Sequence, residues 1–398
     1  MSINSPERLA HDLNKHFEIL RQASSTKELQ QSELYQRLLP AITEVLQSVV
    51  VENLARDPTA HDEQKIRVTA WNIERGIKLN GIIDVLQNHP QISPSDVFLL
   101  TELDHGMARS GNHSVARSIA EALNLNYVFT PSYINLSKGS GKEYDVNGSN
   151  THSLHGNGIF SRHPLREPLS VDLPNSIDKM AGREKRIGSQ RIPIATVEHP
   201  LGNLRVAAVH LDAHSSQAKR RNQLGCLLDY LEELPDCPTL LGGDWNTSTY
   251  DCSKSWYAIL GFWRRALMGV RHVMDNHYPY PERWFERPLF RMLEGRGYEY
   301  QHFNVAGGCT LHYDVLNEAM NSNAGEWVPT WCYPWVTWSL RHSSGLCSFK
   351  LDWFTGRGVS NIDSSAAVIG DLKDDSGPLS DHDAILVDVV PSDTKPTV

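Results

Sequence analysis

Residues 239–246, TLLGGDWN, join a short apolar run to a polar end. The apolar part predicts a buried β-strand, and Asp244 and Asn246 follow directly after it. Further short apolar runs alternate with amphipathic helices, such as the one expected to begin near Ser114. Strands that alternate with helices in this way indicate a mixed α/β domain.

Other apolar runs of the chain also end in polar residues. They are Asn72, Glu102, His210, Asp352 and the pair Asp381-His382. Strand ends on one edge of a sheet meet in space, so these carboxylates, amides and imidazoles are expected to line one pocket. Oxygen ligands suit a hard cation such as Mg²⁺, which needs only one or two carboxylates because it keeps several waters. The pattern therefore predicts a metal-assisted site for phosphoryl chemistry.

Residues 1–60 predict a helical extension at the N-terminus. Apolar residues recur at helical spacing at Leu9, Leu13, Phe17 and Leu20. A second apolar stripe covers residues 38–50, and the polar run at residues 24–26 is expected to separate two helices. The extension is interpreted as an appendage packed on the main domain, with a dimerisation hairpin as the alternative; the oligomeric state stays open.

Residues 253–342 predict an insertion, and residues 393–398 a short tail. The insertion holds seven of the ten tryptophans, and seven arginines lie between Arg264 and Arg296. Such embellishments of a regular frame commonly shape the substrate site. Residues 256–268 are apolar and then basic, so peripheral membrane contact is a further hypothesis. Stacking of single-stranded bases on the aromatic rings is a third.

Composition and charge narrow the class of protein. The formal net charge of −9 gives no overall basic field for nucleic acid, although a local basic groove stays possible on an acidic protein. The six cysteines show no zinc-binding spacing and are expected to be reduced. The sequence shows no secretory signal and no apolar run of the roughly 18 residues that span a bilayer. A cytoplasmic location is therefore expected.

Seven short motifs, taken in order, resemble those of the endonuclease/exonuclease/phosphatase superfamily. They are WNI at 71–73, TELD at 101–104, HGNGIFSR at 155–162, VHL at 209–211, GDWN at 243–246, LDW at 351–353 and SDH at 380–382. This superfamily includes deoxyribonucleases, apurinic endonucleases, neutral sphingomyelinases and inositol polyphosphate phosphatases. The resemblance implies that residues 61–392 form the catalytic domain, a four-layer sandwich of two packed β-sheets flanked by helices.

The resemblance also implies a role for each matching residue. Glu102 corresponds to the principal metal ligand, with Asn72 and Asp381 close to the metal, which would be Mg²⁺ or Mn²⁺. Whether one or two ions bind stays open. Asn246 would bind the phosphate, and Asn157 and Arg191 are further candidates for phosphate contacts.

Four side chains correspond to the catalytic groups of the superfamily. Asp244 would orient or deprotonate the attacking water. His382 resembles the catalytic imidazole, held by Asp352, and His210 would stabilise the transition state or protonate the leaving group. The resemblance leaves open whether Asp244 or His382 is the general base.

The leading hypothesis is a metal-dependent phosphodiesterase or phosphatase that acts on a small or lipid-linked phosphoester. A nuclease acting on DNA or RNA is the main alternative; nucleic acid is a possible partner but not the preferred one. A non-catalytic binding module on the same fold is a minor alternative, because it would require the loss of a catalytic residue and each corresponding position is present.

Overall fold

The structure, a computed structural model, describes residues 3–4, 6–56, 64–247, 251–316 and 330–392. The predicted tail at 393–398, the boundary near residue 60 and Trp327 of the insertion lie outside the described residues. The helices found in the described part are α1 (Phe17–Leu20), α2 (Thr26–Gln31), α3 (Glu33–Leu46), α4 (Leu79–Asn88), α5 (Val115–Leu123), α6 (Gln217–Glu232), α7 (Ser255–Met268), α8 (Val270–Asn276), α9 (Arg287–Gly295) and α10 (Tyr333–Leu340).

The strands of the described part form two main sheets and two small two-stranded sheets. They are β1 (Ile3–Asn4), β2 (Val49–Glu52), β3 (Ile66–Arg75), β4 (Val97–His105), β5 (Asn126–Asn135), β6 (Leu154–Ser161), β7 (Leu165–Asp172), β8 (Arg186–Gly188), β9 (Arg191–His199), β10 (Gly202–His210), β11 (Thr239–Asp244), β12 (Leu311–Asp314), β13 (Leu346–Phe349), β14 (Asp352–Arg357), β15 (Val359–Asn361), β16 (Ala367–Ile369), β17 (Lys373–Asp374), β18 (Gly377–Pro378) and β19 (Ala384–Pro391). The first sheet has the order β1-β2-β5-β6-β4-β3-β19-β15, with β16 beside β19 and β8 beside β5. The second sheet has the order β14-β11-β10-β9-β7.

The two sheets pack face to face, and helices cover their outer faces. Between the sheets, Val68 and Leu99 of the first meet Val206 of the second. The next residue of β10, Ala207, points the other way and joins a core with Leu224 of α6. This alternation follows from the two-residue period of a strand. The predicted four-layer α/β sandwich is confirmed.

The N-terminal extension belongs to the outer layer of the first sheet. Ser25 and Ser32 cap α2 and α3 through hydrogen bonds from backbone N–H groups, so the chain breaks near the predicted position. Ile42 of α3 is buried in the core shared with α4 and α5. The prediction that Val49 and Val50 continue the helix is wrong, because they lie in β2, which pairs with β5. β-branched residues beside an available sheet edge favour a strand.

The region predicted as one insertion consists of two parts. Helix α9 packs on α6, and its Leu289 and Leu293 join the core beneath the second sheet. By contrast, Val273 of α8 and Leu340 of α10 belong to a separate small core near the cavity described below. Only the second part therefore stands beside the ends of the strands. Among the described residues, no helix combines the length and apolarity needed to cross a bilayer.

Candidate active site

Asp244 ends β11 between functional residues of both neighbouring strands. It lies opposite His210 in the parallel pairing with β10, and opposite Asp352 in the antiparallel pairing with β14. Gly243 permits this close approach, because its φ is +137° and a Cβ there would lie 2.2 Å from the Val209 carbonyl oxygen. Side chains of three adjacent strands are thereby brought to one edge of the second sheet.

Glu102 and Asn72 reach the same place from the first sheet. The pairing of β3 with β4 becomes irregular beyond Asn72, and Glu102 has a left-handed backbone with φ of 57°. Such strain costs about 1–3 kcal/mol and is concentrated at functional sites. The Asn72 amide donates to Glu102 Oε1 at 3.2 Å and to Asp244 Oδ2 at 3.1 Å. One amide therefore links carboxylates of the two sheets.

His382 and Asp352 form a buried pair. His382 Nδ1 lies 2.8 Å from Asp352 Oδ2, which also accepts a hydrogen bond from the Thr310 hydroxyl at 2.6 Å. The other ring nitrogen, Nε2, lies 3.7 Å from Asp244 Oδ2. Burial alone would lower the pKa of His382, but the carboxylates of Asp352 and Asp244 outweigh it and raise this pKa well above its usual value. His382 is thus held as an imidazolium.

The carboxylates around the cavity repel one another and suit a hard cation. Burial raises the pKa of Asp244 to about 7, although His382 opposes the shift, and burial also raises the pKa of Asp381. Glu102 is different: burial acts to raise its pKa, yet Arg75 and His210 together hold that pKa far below its usual value. An ionised glutamate beside further oxygen donors fits the ligand preference of Mg²⁺ and Mn²⁺.

His210 is the second buried imidazole of the site. Its Nε2 lies 3.6 Å from Asp244 Oδ2 and 3.9 Å from Glu102 Oε1. Burial lowers the pKa of His210 to about 4, so the ring is neutral near pH 7. The two imidazoles therefore differ in charge, His210 being neutral and His382 cationic.

Two residues predicted to contact phosphate, Asn157 and Arg191, are engaged with other partners in this structure. The Asn157 amide donates to the Arg191 carbonyl at 3.0 Å, and its oxygen accepts from the Glu102 N–H at 3.4 Å. Asn157 thus holds the strained backbone at Glu102. The Arg191 guanidinium turns away to the Leu46 carbonyl and to Asp172 Oδ1, the latter at 2.5 Å. Only the backbone of Arg191 approaches the site, because its side chain packs against the end of α3.

Asn246, the third predicted phosphate contact, does lie in the cavity wall. Its amide donates to the Leu211 carbonyl at 2.9 Å and to Asp244 Oδ2 at 3.1 Å, and its N–H donates to Asp244 Oδ1 at 2.9 Å. Asn246 therefore orients Asp244 in this structure. Its backbone is also left-handed, with φ of 53°.

Arg75 and Glu74 are site residues that the sequence analysis did not identify. The Arg75 guanidinium lies 3.1 Å from Glu143 and 3.9 Å from Glu102. Burial and the nearby Asp381 raise the pKa of Glu74 to about 8. The sequence offered one indication of a role for these two residues, which is that they directly follow the motif at residues 71–73. It gave no indication that the strand bulges and turns Arg75 toward Glu102.

A cavity of about 450 Å³ connects the polar site to an apolar wall. The polar end contains Glu102, His210, Asp244, Asp381 and His382. The apolar part of the lining comes from α7, α8 and α10 and includes Ile259, Phe262, Trp263, Val273, Trp335 and Leu340. One continuous cavity thus offers charged residues for a phosphate and apolar residues for an attached group.

Comparisons with known proteins agree with the fold and the motifs. Residues 69–382 match the sequence model of the Endonuclease/Exonuclease/phosphatase family. A solved endonuclease/exonuclease/phosphatase structure from Beutenbergia cavernae is 18% identical, with a TM-score of 0.50 over 82% of this chain and 72% of that one. No curated protein sequence matches the chain significantly.

Two other solved structures are similar at lower scores. D. rerio TDP2 complexed with single strand DNA product is 16% identical, with a TM-score of 0.42 over 82% of this chain and 98% of that one. The 3' phosphatase NExo from Neisseria, bound to a product DNA hairpin, is 14% identical, with a TM-score of 0.45 over 81% and 98% of the two chains. At 18% identity, the similarity to the Beutenbergia cavernae structure speaks for the fold and not for the substrate.

Proposed function

Because the chain belongs to the endonuclease/exonuclease/phosphatase family and is therefore a metal-dependent phosphoester hydrolase, we propose that it cleaves a phosphodiester whose phosphate carries an apolar or lipid group. The cavity that joins the polar site to the apolar wall of α7, α8 and α10 is the observation that carries this proposal. A phosphate at the polar end leaves the attached group against Phe262 and Trp335. Pockets of this kind bury most of a ligand's surface.

In the proposed mechanism, Glu102 and Asp381 would hold the divalent cation, and the Asn72 amide would lie close to it while it orients Glu102 and Asp244. When bound, the cation neutralises charge on the phosphoryl oxygens. Asp244 accepts the proton of the attacking water, because Asn72 and Asn246 orient its carboxylate and His382 is already protonated. The proposal thus assigns the role of general base to Asp244, a choice that the sequence left open.

The two imidazoles then act on the phosphoryl group. His382, anchored by Asp352, presents Nε2–H to the oxygens that gain negative charge in the transition state. His210, neutral and facing the same carboxylate from the other side, is placed to stabilise the same oxygens by a hydrogen bond. Of the two rings, the cationic His382 is the one that carries a proton to pass to the leaving oxygen.

The charges around the cavity favour a single phosphate over a polyanion. Lys179 lies 2.7 Å from Asp212, and Arg186 lies 3.3 Å from Glu184. These basic side chains face the cavity already paired with carboxylates, so they add little net positive charge. A nuclease would be expected to offer a row of cations along the nucleic-acid backbone.

The arginines of the predicted insertion contribute less to the lining of the cavity than their clustering in the sequence suggested. Arg265 lines the cavity with the functional residues. In contrast, Arg283, Arg287 and Arg291 line a separate polar pocket with Lys350. The apolar surface of α7 and α10, rather than these arginines, distinguishes the substrate end of the cavity.

Peripheral membrane contact is part of the same proposal. The side chains of Leu267, Trp331 and Trp338 are 87%, 61% and 54% exposed. They lie on or beside α7 and α10, which also form the apolar wall. A tryptophan-rich surface next to the cavity would let a lipid-linked substrate enter from a bilayer surface.

The proposal is tested by measuring hydrolysis of a panel that spans phospholipids, inositol phosphates, nucleotides, a small chromogenic phosphodiester and DNA, with Mg²⁺, Mn²⁺ or EDTA. Phe262→Asn should raise KM for the preferred lipid-linked substrate and leave hydrolysis of the chromogenic ester nearly unchanged. Ile19→Asn in α1 is the control, because this apolar side chain is exposed and belongs neither to the cavity lining nor to the tryptophan-rich surface. Efficient cleavage of DNA at physiological salt, with no activity on lipid phosphoesters, would establish the nuclease alternative instead.

A further inference from the structure

A second buried cluster, formed by Asp96, His163 and His199, lies at the edge of the sheets opposite the cavity. Asp96 directly precedes β4, His163 follows β6, and His199 is the last residue of β9. Side chains of both sheets therefore meet at this point. Glu102 lies farther along β4, roughly 20 Å from Asp96 at the rise of a β-strand. The cluster is thus separate from the candidate active site.

The cluster presents polar atoms that lack hydrogen-bond partners. The residues are 1%, 2% and 5% exposed in chain order, and their potential ligand atoms lie within 4.8 Å of one another. Asp96 Oδ1, His163 Nε2 and His199 Nε2 are buried, and none of these atoms has a hydrogen-bond partner among the described residues. A buried polar atom without a partner costs free energy, so three that converge on one point indicate a missing occupant.

Other contacts hold the Asp96 side chain and the backbone of His163 in place. Asp96 Oδ2 accepts from the Arg67 N–H at 2.8 Å, which leaves Oδ1 directed at the cluster. The Asn126 amide donates to the His163 carbonyl at 2.9 Å. His163 Nε2 then lies 3.9 Å from Asp96 Oδ1, too far for a direct hydrogen bond between them. This separation leaves room for an ion between the two atoms.

We propose that Asp96, His163 and His199 bind a divalent transition-metal ion, with Zn²⁺ the best fit, that joins the two sheets. Two imidazole nitrogens and a carboxylate oxygen form a donor set that zinc accepts, with water as a fourth ligand. The residues around Glu102 offer mainly oxygen ligands, and such a site prefers Mg²⁺ or Mn²⁺. The molecule would then hold two kinds of ion, one for chemistry and one for stability.

Ion binding at this cluster requires His199 to change its tautomer and to lose one hydrogen bond. The Leu201 N–H donates to His199 Nδ1 at 3.1 Å, so the proton of the neutral ring resides on Nε2 when no ion is bound. Coordination through Nε2 moves that proton to Nδ1 and gives up the bond from Leu201. Zinc uptake therefore leaves the number of protons on His199 unchanged. The affinity of this cluster for Zn²⁺ should therefore be lower than that of a site in which the histidine already carries its proton on the other ring nitrogen.

The first measurement is cobalt substitution on the full chain, after EDTA treatment and removal of the chelator. One equivalent of Co²⁺ should give the strong visible d–d absorption of a four-coordinate site, and Zn²⁺ should abolish it by displacement. Zinc at roughly 100-fold above its Kd should raise Tm by about 3 °C. A buried water in place of a metal would give neither the absorption nor the rise in Tm, and that result would overturn the proposal.

Variants separate this cluster from the active site. His199→Phe should abolish the cobalt absorption while retaining Mg²⁺-dependent hydrolysis at the wild-type rate. His89→Phe is the matched control, since His89 Nδ1 also accepts a backbone N–H two residues along the chain, from Gln91 at 3.3 Å. If His199→Phe does not fold, Glu102→Gln still decides the question. Loss of the cobalt absorption in Glu102→Gln would mean that the ion sits at the active site, and the proposal would be wrong.

Discussion

At the scale of single residues, Asp244 is the most connected group of the candidate active site. Its carboxylate accepts from the amides of Asn72 and Asn246 and faces both His210 and His382. Each of these neighbours comes from a different part of the chain. An aspartate in the motif is therefore not sufficient for the chemistry of the site, which also depends on how the fold orients Asp244 and sets its charge.

The pair His382 and Asp352 should act as a unit, because Asp352 both orients the ring and keeps it protonated. We expect His382→Ala to lower kcat by at least roughly a hundredfold. Asp352→Asn should also be impaired, and the double variant should be little worse than His382→Ala alone. Steady-state kinetics of the three variants check this. Multiplicative losses in the double variant would mean that the two residues act independently.

Glu102→Gln should weaken metal binding strongly and change the free energy of unfolding much less. The substitution removes the ionised carboxylate that Arg75 keeps charged, while retaining a group of similar size. We expect a strong loss of turnover and a higher Mg²⁺ concentration for half-maximal activity. Metal titration of the hydrolysis rate measures both quantities. An unchanged Mg²⁺ requirement, or full wild-type activity in excess EDTA, would contradict the assignment of the metal site.

At the scale of elements, the end of β11 depends on a backbone that only glycine supplies easily. Gly243→Ala should destabilise the fold and depress activity together, because the new Cβ would lie 2.2 Å from the Val209 carbonyl oxygen at a φ of +137°. Backbone strain of this kind costs about 1–3 kcal/mol before any clash is counted. The free energy of unfolding in urea and the hydrolysis rate are the two measurements.

Gly295→Ala is the control for this prediction. Gly295 ends α9, and a Cβ at this position would meet no atom within 4 Å. Alanine is also the better helix former, so the free energy of unfolding should be unchanged or slightly raised. Equal effects at both glycines would show that space at the end of β11 is not limiting.

The position of β2 shows how an available sheet edge decides secondary structure. Val49 and Val50 continue the apolar stripe of α3 and, by spacing alone, favour helix. They instead pair with β-strand neighbours, Val50 lying opposite Phe129 of β5. The edge of β5 supplied hydrogen-bond partners that no local pattern in the sequence revealed.

At the scale of the whole molecule, the N-terminal extension is part of the hydrophobic core. Ile42→Ala should lower the free energy of unfolding by about 2–5 kcal/mol, because the side chain is buried with residues of α4 and α5. Leu39→Ala on the same helix is the control, being 36% exposed, and should change it by less than about 0.5 kcal/mol. Urea denaturation compares the two. Equal, small effects would mean that the extension is a loosely attached appendage.

The sequence by itself determined the α/β class, the family motifs and the identity of the residues that gather at the cavity. These features are local: a two-residue period marks a strand, and a polar residue directly after it marks the functional edge. Only the tertiary structure decided that Asn157 supports Glu102, that Arg191 points to α3 and that Arg75 enters the site. The direction of a side chain depends on bulges and on neighbouring strands that are distant in sequence, so no local pattern could specify it.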